Sequence, residues 1–580
     1  VVKKFLTTDF TDDHGFFESR SDSHNLIRGK IFRGVMLLAC LIPFITLSSA
    51  DAAEKLKADV VVYGDASGGV TAAVQATRMG KQVILVSQYG HLGGLTSSGL
   101  GWSDIGNDKI LGGLSHDFYH RVYLHYQKDE SWTHETRANY PNAGQGVPAL
   151  NAKTELASTF EPKVAEAIFD AMIKDAGVRV IRGRLDLKNG VIKEGKKINS
   201  IRLEDGTIID GKMFIDASYE GDLLPGAGVS FVIGREANAE FKEKGNGITG
   251  PLRGNQLPNG IDPYVTKGDA ASGLLPGVNP DMGGEVGDGD ERLQAYCYRM
   301  VLTDVEANRV PVPKPDGYDE ADYELLFRSI EAGQKSGFFK FSMMPNRKTD
   351  SNNTGGISCD FIGANYGDGW NWATLDHKQR EELAAKHRDW QLGLVWTLQH
   401  HPRVPEAIRE QHTSWGLPKD EFTDNKNWPY NLYVREARRM RSDFVMTENH
   451  CNLTLPVEDP VGMGAYTLDS HNVQRFVHNG MIKNEGDIQT KLSGKPYGIS
   501  YRSIIPKPDE CENLLVPWAL SASHIAFGSI RMEPVFMALG QSAATAACMA
   551  IDANAPVQKI PYDALQARLI QDGQKLQVAN

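Results

Sequence analysis

The sequence predicts an α/β fold: a parallel sheet with helices packed on it, plus a loop-rich middle segment of α+β character that reads as a second domain. Three observations predict it. Two short β-branched runs, residues 59–63 and 82–86, flank a small-residue helix over 68–80, the pattern of a compact βαβ unit. A second helix over 160–177 runs into a strand at 178–181 and then into an alternating meander over 185–217. From about 235 to 490 the chain is rich in Gly, Pro, Asn, Asp and Trp with few periodic runs, and order returns only in the last stretch.

The first helix carries Val70, Ala73, Val74 and Thr77 on one face. Before it stands a turn with Gly64 at the first, Ala66 at the second and Gly69 at the third position, and Ser67 and Gly68 between. In a dinucleotide-binding turn the first glycine allows the sharp bend, the second lets backbone approach a pyrophosphate, and the third lets helix pack on strand. Ala66 narrows that approach by one methyl group, while Gly68 gives the turn room to relax. The unpaired N–H groups of the helix start suit a phosphate. The acidic residue usual after the second strand is replaced by Ser87 and Gln88, neutral partners for a ribose hydroxyl. Strand, turn, helix and strand in this order make a Rossmann-like nucleotide-binding unit.

In the next helix Pro162 suits the first turn, Val164, Ile168 and Met172 recur at four-residue spacing, and Gly177 stops it. Asn189-Gly190 and Asp205-Gly206 are hairpin signals within the meander, which leads to a buried strand, MFIDAS. Helices are expected over 318–333 and 378–399, a strand at NLLVPWAL, and a small-residue helix after Pro534.

The chain has 580 residues, 41% hydrophobic and 23% charged, with net charge -11 and no long basic block. That balance argues against nucleic acid as a partner. Arg28, Lys30 and Arg33 precede an apolar run over 35–47 that ends at Ala50-Asp51-Ala52, the order of a signal peptide (about 28–52, within a 1–53 leader). The expected protein is exported, periplasmic or extracellular, with no stable membrane span after cleavage. Cys40 would leave with the leader, and the other five of the six cysteines are widely spaced. They predict mostly buried thiols and no metal site.

The segment YGHLGGLTSSGLGWSDIG (89–106), together with the turn, resembles the bacterial FAD-dependent oxidoreductases of the glutathione-reductase-like fold. Three further blocks are similar to that family: 214–237, 349–366 and 497–547. The resemblance covers roughly residues 58–565 by the order of its elements. It implies a discontinuous FAD-binding domain, 58–235 and 497–570, with a β-meander crossover, and a substrate domain inserted at 236–496. It places Gly93, Gly94, Leu95 and Thr96 along the flavin and pyrophosphate, and Ala217, Ser218, Glu220 and Gly221 at the end of the third parallel strand. Ser529, Ile530, Arg531 and Met532 would offer backbone N–H groups to the flavin at the start of the final helix. The family commonly has Glu where Ser87 stands. By fold analogy His91 is a point of covalent flavin attachment, against the favoured non-covalent mode.

A flavin accepts the hydride, so the chain must position a small-molecule substrate and remove a proton. His524, just before the flavin-contacting turn, is the first candidate base. Arg531, Glu533, Tyr501, Arg502 and Arg435 are further catalytic candidates, beside Arg438, Arg439, His450 and His471. Arg435 and Arg439, four apart, either clamp a carboxylate or sugar from one helix side or pair with nearby acids. Trp370 and Trp372 are core residues or a sugar-stacking surface. The leading function is oxidation of a hydroxyl or amine carbon, with the electron acceptor open. The alternatives are a polysaccharide lyase or hydrolase, which requires paired carboxylates or a metal, and a non-catalytic flavin-binding protein.

Overall fold

The computed structural model describes residues 54–361, 371–492 and 495–578; the leader and Trp370 lie outside them. The strands that position the site are β1 (Lys55–Lys57), β2 (Val60–Tyr63), β3 (Val83–Ser87), β4 (Arg179–Arg182), β5 (Val191–Glu194), β6 (Lys197–Arg202), β7 (Ile208–Asp210), β8 (Met213–Asp216), β9 (Gln474–His478) and β10 (Leu514–Leu515). The helices are α1 (Ser67–Arg78), α2 (Pro162–Ala176), α3 (His377–His400), α4 (His524–Ile530) and α5 (Glu533–Ala553).

Every residue of β2, β3 and β8 is buried, because helices or the meander cover both faces; such strands read as continuous apolar runs. They form the centre of a five-stranded sheet, order β10-β8-β2-β3-β4, in which each pairing is parallel. Chain order runs outward from β2 to β3 and β4 on one side, and to β8 and β10 on the other. Open α/β sheets bind ligands at such a switch point, beyond the carboxyl ends of the strands. The meander is a second sheet, β1-β7-β6-β5.

Most turn signals around the sheet map onto this frame, and one does not. Gly177 closes α2 in the left-handed region, φ 70°. Asp205-Gly206 turns β6 into β7, with Gly206 N–H donating to Leu203 O at 3.0 Å. Asn189-Gly190, however, does not make the hairpin expected of it. Gly190 N–H donates to Asp186 O at 2.6 Å, closing a turn ahead of β5, and the β5–β6 hairpin turns at Gly195, φ 57°.

The turn GDASGG works as read at its ends. Gly64 has φ 109°, and a Cβ there would lie 2.5 Å from the Ala217 carbonyl carbon. A Cβ on Gly69 would collide with Gly64 O. Gly68 serves a different purpose from loosening the turn: a Cβ on it would sit 2.8 Å from Phe536 O, and one on Gly540 would strike Gly68 O. α1 and α5 therefore cross backbone to backbone, with Thr71 Oγ1 donating to Met537 O at 2.8 Å. Among the described residues α5 is also the one helix long and apolar enough to cross a membrane, yet 89% of its apolar window is buried in the protein.

The middle segment does not separate as a compact body: residues 53–580 form one unit. Val60, Phe118, Tyr296, Leu394, Leu468 and Phe536 belong to one continuous core. The expected helix over 318–333 is a 3-10 turn, Glu320–Tyr323, followed by the helix Glu324–Glu331. The strand at NLLVPWAL is reduced to β10, because the chain beyond Leu515 leaves the sheet.

Candidate functional site

A cavity of about 610 Å³ opens beyond the carboxyl ends of β3, β4 and β8, lined among others by Gln88, Arg184, Tyr219, Trp372, Arg380 and Leu432. The amide nitrogen of Gln88 is buried there without a partner. Ser87, by contrast, is fully engaged: its Oγ donates to Asp65 Oδ2 at 2.6 Å and accepts from Gly90 N–H at 3.0 Å. Asp65 also accepts from Tyr89 N–H at 3.1 Å, and burial raises its pKa. A carboxylate thus stands at the end of β3 after all, but the turn supplies it and the strand does not.

The loop after β8 is organised by Asp216, which accepts from Ser218 N–H and Oγ and from Leu223 N–H. Burial pushes its pKa to about 7. Asp222 binds Arg380 through both oxygens, at 2.8 and 2.9 Å, and Arg438 at 3.1 Å. Glu220 accepts from Trp372 Nε1 at 3.2 Å, while its Oε2 is buried without a partner. Trp372 is therefore a cavity wall.

At the start of α1 the hydroxyls hold a carboxylate of the protein itself. Glu533 Oε2 accepts from Ser67 Oγ and from Thr96 Oγ1. Tyr219 donates to Glu533 Oε1 at 3.1 Å and accepts from Leu95 N–H at 2.7 Å. Burial lifts the Glu533 pKa to about 7. Gly93 and Gly94 press this segment onto the turn: Gly93 N–H donates to Asp65 O, and a Cβ on Gly94 would lie 3.0 Å from Ala66 Cα. Ala217 packs at the far side of the same turn, while Gly221 (φ 66°) lies against Leu224 and Ala519.

The α4–α5 junction differs from expectation. Ser529 and Ile530 are the last residues of α4, and the N–H groups of Arg531 and Met532 already donate to Phe527 O and Ile530 O. These peptides are committed to ending one helix before the next begins. The junction instead aims the Arg531 side chain into a buried polar cluster. Arg531 donates to Tyr433 Oη at 2.6 Å and Asp469 Oδ2 at 3.0 Å. Three guanidiniums surround the Tyr433 ring: Arg435 at 4.8 Å, Arg531 at 5.5 Å and Arg299 at 5.8 Å from its centroid. Each has its own acid: Asp360 for Arg435, Asp469 for Arg531, Asp350 for Arg299.

His471 lies between two of those acids, with Nδ1 2.6 Å from Asp360 Oδ2 and Nε2 3.7 Å from Asp469 Oδ2. Burial and Arg435 alone would lower its pKa, but the two carboxylates outweigh them and raise it. His524 is placed differently. Its Nδ1 is 2.7 Å from Glu436 Oε2 and its Nε2 3.0 Å from Ser470 Oγ, so both nitrogens are occupied within the core.

Other candidates stand apart from the cluster. Tyr501 donates to Val557 O, and Arg502, half exposed, pairs with Asp459 at 3.0 Å. Arg435 lies on irregular chain and Arg439 in a two-residue strand, not on one helix side, and Arg439 pairs with Glu236 and Glu436. His450 closes a capping box with Thr447. His91 stacks on Tyr430 at 3.5 Å, with Nδ1 2.7 Å from Glu166 Oε1. Glu161, Asp420 and Glu421, a carboxylate group that could hold a cation, instead surround Lys348 Nζ at 2.6–2.8 Å. The five described cysteines are buried and unbridged.

Tyr433, Asp65, Asp360 and Asp469 were not singled out from the sequence. Tyr433 stands two before Arg435 in a stretch without regular secondary structure, so no periodic signal marks it.

A family model, FAD dependent oxidoreductase, matches residues 59–569. No curated protein matches the chain. Among solved structures, L-amino acid deaminase from Proteus vulgaris is 18% identical over 35% of this chain and 56% of its own, TM-score 0.22. Flavin-containing monooxygenase from Stenotrophomonas maltophilia is 14% identical over 32% of this chain and 43% of its own, TM-score 0.18. The chain thus spans less than two thirds of these structures, and the overlaps carry no argument about substrate. The residues fit a flavin dinucleotide: a large cavity at the sheet's switch point, an unpaired buried donor on Gln88, and a turn that a Cβ at Gly64 would close. With the family matched over nearly its whole described length, the chain belongs to the FAD dependent oxidoreductase family and is an FAD-dependent oxidoreductase.

Proposed function

We propose that this enzyme takes a hydride from a carbon bearing a hydroxyl or amine in a small polar substrate, using FAD held non-covalently. The observation that carries the reading is the pose of His471: Asp360 holds Nδ1, while Nε2 has no partner nearer than Asp469 Oδ2 at 3.7 Å among the described residues. A base oriented by a carboxylate with its second nitrogen open is the arrangement that proton removal needs. FAD supplies the two-electron acceptor.

The chain's own residues do the rest. Asp360 keeps a proton on Nδ1, so neutral His471 accepts the substrate proton at Nε2. Arg531, Arg435 and Tyr433 orient the substrate's polar groups. Asp469 stabilises the imidazolium that forms. In this reading residues 236–496 supply most of the substrate-facing cluster, with Arg531 added from 497–570, and the cofactor cleft is walled by both 58–235 and the middle segment. We extend the proposal to export, on the basic, apolar, small-residue order of residues 28–52.

The test is anaerobic mixing of the flavin-loaded protein with polyols, sugars, amines and hydroxy acids, read as bleaching of the flavin band. At least one class should bleach it. His471→Gln should keep its flavin and be reduced about 10²–10⁴-fold more slowly. A variant reduced as fast as the parent would remove His471 from the reaction.

A further inference from the structure

A second cavity, about 280 Å³, lies against the other side of α3, away from the cofactor cleft, and its walls are mostly apolar: Tyr318, Tyr323, Leu325, Leu326, Ile357 and Trp390. The rings are close to parallel: Tyr318 and Tyr323 stack at 5.1 Å and 13°, Tyr323 and Trp390 at 6.3 Å and 20°. Arg475 of β9 is the buried charge that lines this space. Its residue is 7% exposed, and its Nε is buried without a partner. Among the described residues no carboxylate comes within 4.0 Å of it. Asp360, the acid that acts on it electrostatically, is occupied by Arg435 on one oxygen and by His471 on the other. Asp322, Asp389 and Lys386 also line the cavity, and neither acid forms an ion pair with Arg475.

A buried guanidinium without a counter-charge is costly, and every other fully buried arginine described above has an acid within 3.1 Å. The geometry points to a second binding site, one that takes a small organic anion with a flat apolar body, such as an aryl carboxylate, with its carboxylate on Arg475 and its ring against the apolar wall of Leu325, Leu326 and the stacked aromatics. The volume is at the small end of ligand pockets and suits one ring with a short acidic arm. A guanidinium fork matches a carboxylate's two oxygens. The site is independent of the hydride-transfer reading, because none of these residues belongs to the cofactor cleft or to the Tyr433 cluster.

The experiment is calorimetric titration of the flavin-loaded protein with phenylacetate and with its neutral amide, phenylacetamide, while the flavin spectrum is followed. The expected result is saturable phenylacetate binding without bleaching, at least 10-fold weaker binding of the amide, and at least a 10-fold loss in Arg475→Met. Because the arginine has no acid beside it among the described residues, that variant should melt no lower than the parent. Leu325→Trp, which fills the cavity and leaves Arg475 in place, should also abolish binding. Absence of saturable binding, binding unchanged in both variants, bleaching of the flavin by phenylacetate, or a lowered Tm in Arg475→Met would each overturn the assignment.

Discussion

Ser87 Oγ donates to Asp65 Oδ2 at 2.6 Å, so the first residue after Gly64 places its carboxylate at the end of β3. This relocation makes the absent acid at position 87 a change of supplier. Asp65→Asn should weaken FAD affinity of the apoprotein by about 10–100-fold, the worth of a charge-assisted hydrogen bond. Ser87→Ala should weaken it only a few-fold. Quenching of flavin fluorescence on titration measures both, and equal effects of the two substitutions would show that Asp65 does not act on the cofactor.

The central sheet was legible because its signals are local: β-branched runs, a glycine turn, Pro162 and Gly177 at the ends of one helix. The site was legible only where it lies on those signals. Asp65 was hidden because its partner, Ser87, is 22 residues away, and the pairing depends on β2 and β3 lying side by side. His524 drew notice by its nearness to Arg531 in sequence, but the first turn of α4 points it to Glu436 and Ser470. His471 was one of several candidate histidines, and what sets it apart, Asp360 at Nδ1 and the charge of Arg435, comes from two other segments. Asn189-Gly190 shows the same limit in the fold, since the preceding Asp186 carbonyl captured its N–H before it could form a hairpin.

His91 has an ion-pair partner on Nδ1 and a ring stacked on Tyr430. Both interactions hold the imidazole in place, and His91 is not among the residues that line the cofactor cavity; a non-covalent cofactor is the expectation. Acid precipitation should therefore release all the yellow colour into the supernatant, and His91→Ala should still bind FAD. Flavin that remains with the pellet would establish a covalent link.

Among the described residues Lys348 is the only cation touching all three of Glu161, Asp420 and Glu421, and its side chain is fully buried. Lys163 also reaches Glu161 and Asp420, so removal of Lys348 leaves buried Glu421 without a side-chain cation among the described residues, a loss of about 3–5 kcal/mol. Lys348→Met should lower Tm strongly at pH 8 and less at pH 6. The sign follows from Glu421, whose pKa burial has already raised to about 7. A raised carboxyl pKa favours the folded state as pH falls, because the native site then binds the proton more tightly than the unfolded chain. A Tm deficit that does not shrink on acidification would show that the lysine matters for packing and not for charge.

His471 sets two opposite pH dependences. Its folded pKa is raised above the ordinary histidine value of about 6.5, so its contribution to stability is complete below that value and is lost as pH rises through the folded pKa. Proton removal from substrate needs the neutral ring, so kcat/KM should climb with pH across that same window. Asp360→Asn removes one of the charges that raise the pKa, so the climbing limb should move toward acid by about 1–3 units. Arg435 loses its acid in this variant too, and its field on the ring only adds to the shift. His471→Gln should give a slow, flat profile over the same range. The measurement is kcat/KM from pH 5 to 9 for the parent and both variants; a limb that stays in place in Asp360→Asn would mean that another group titrates.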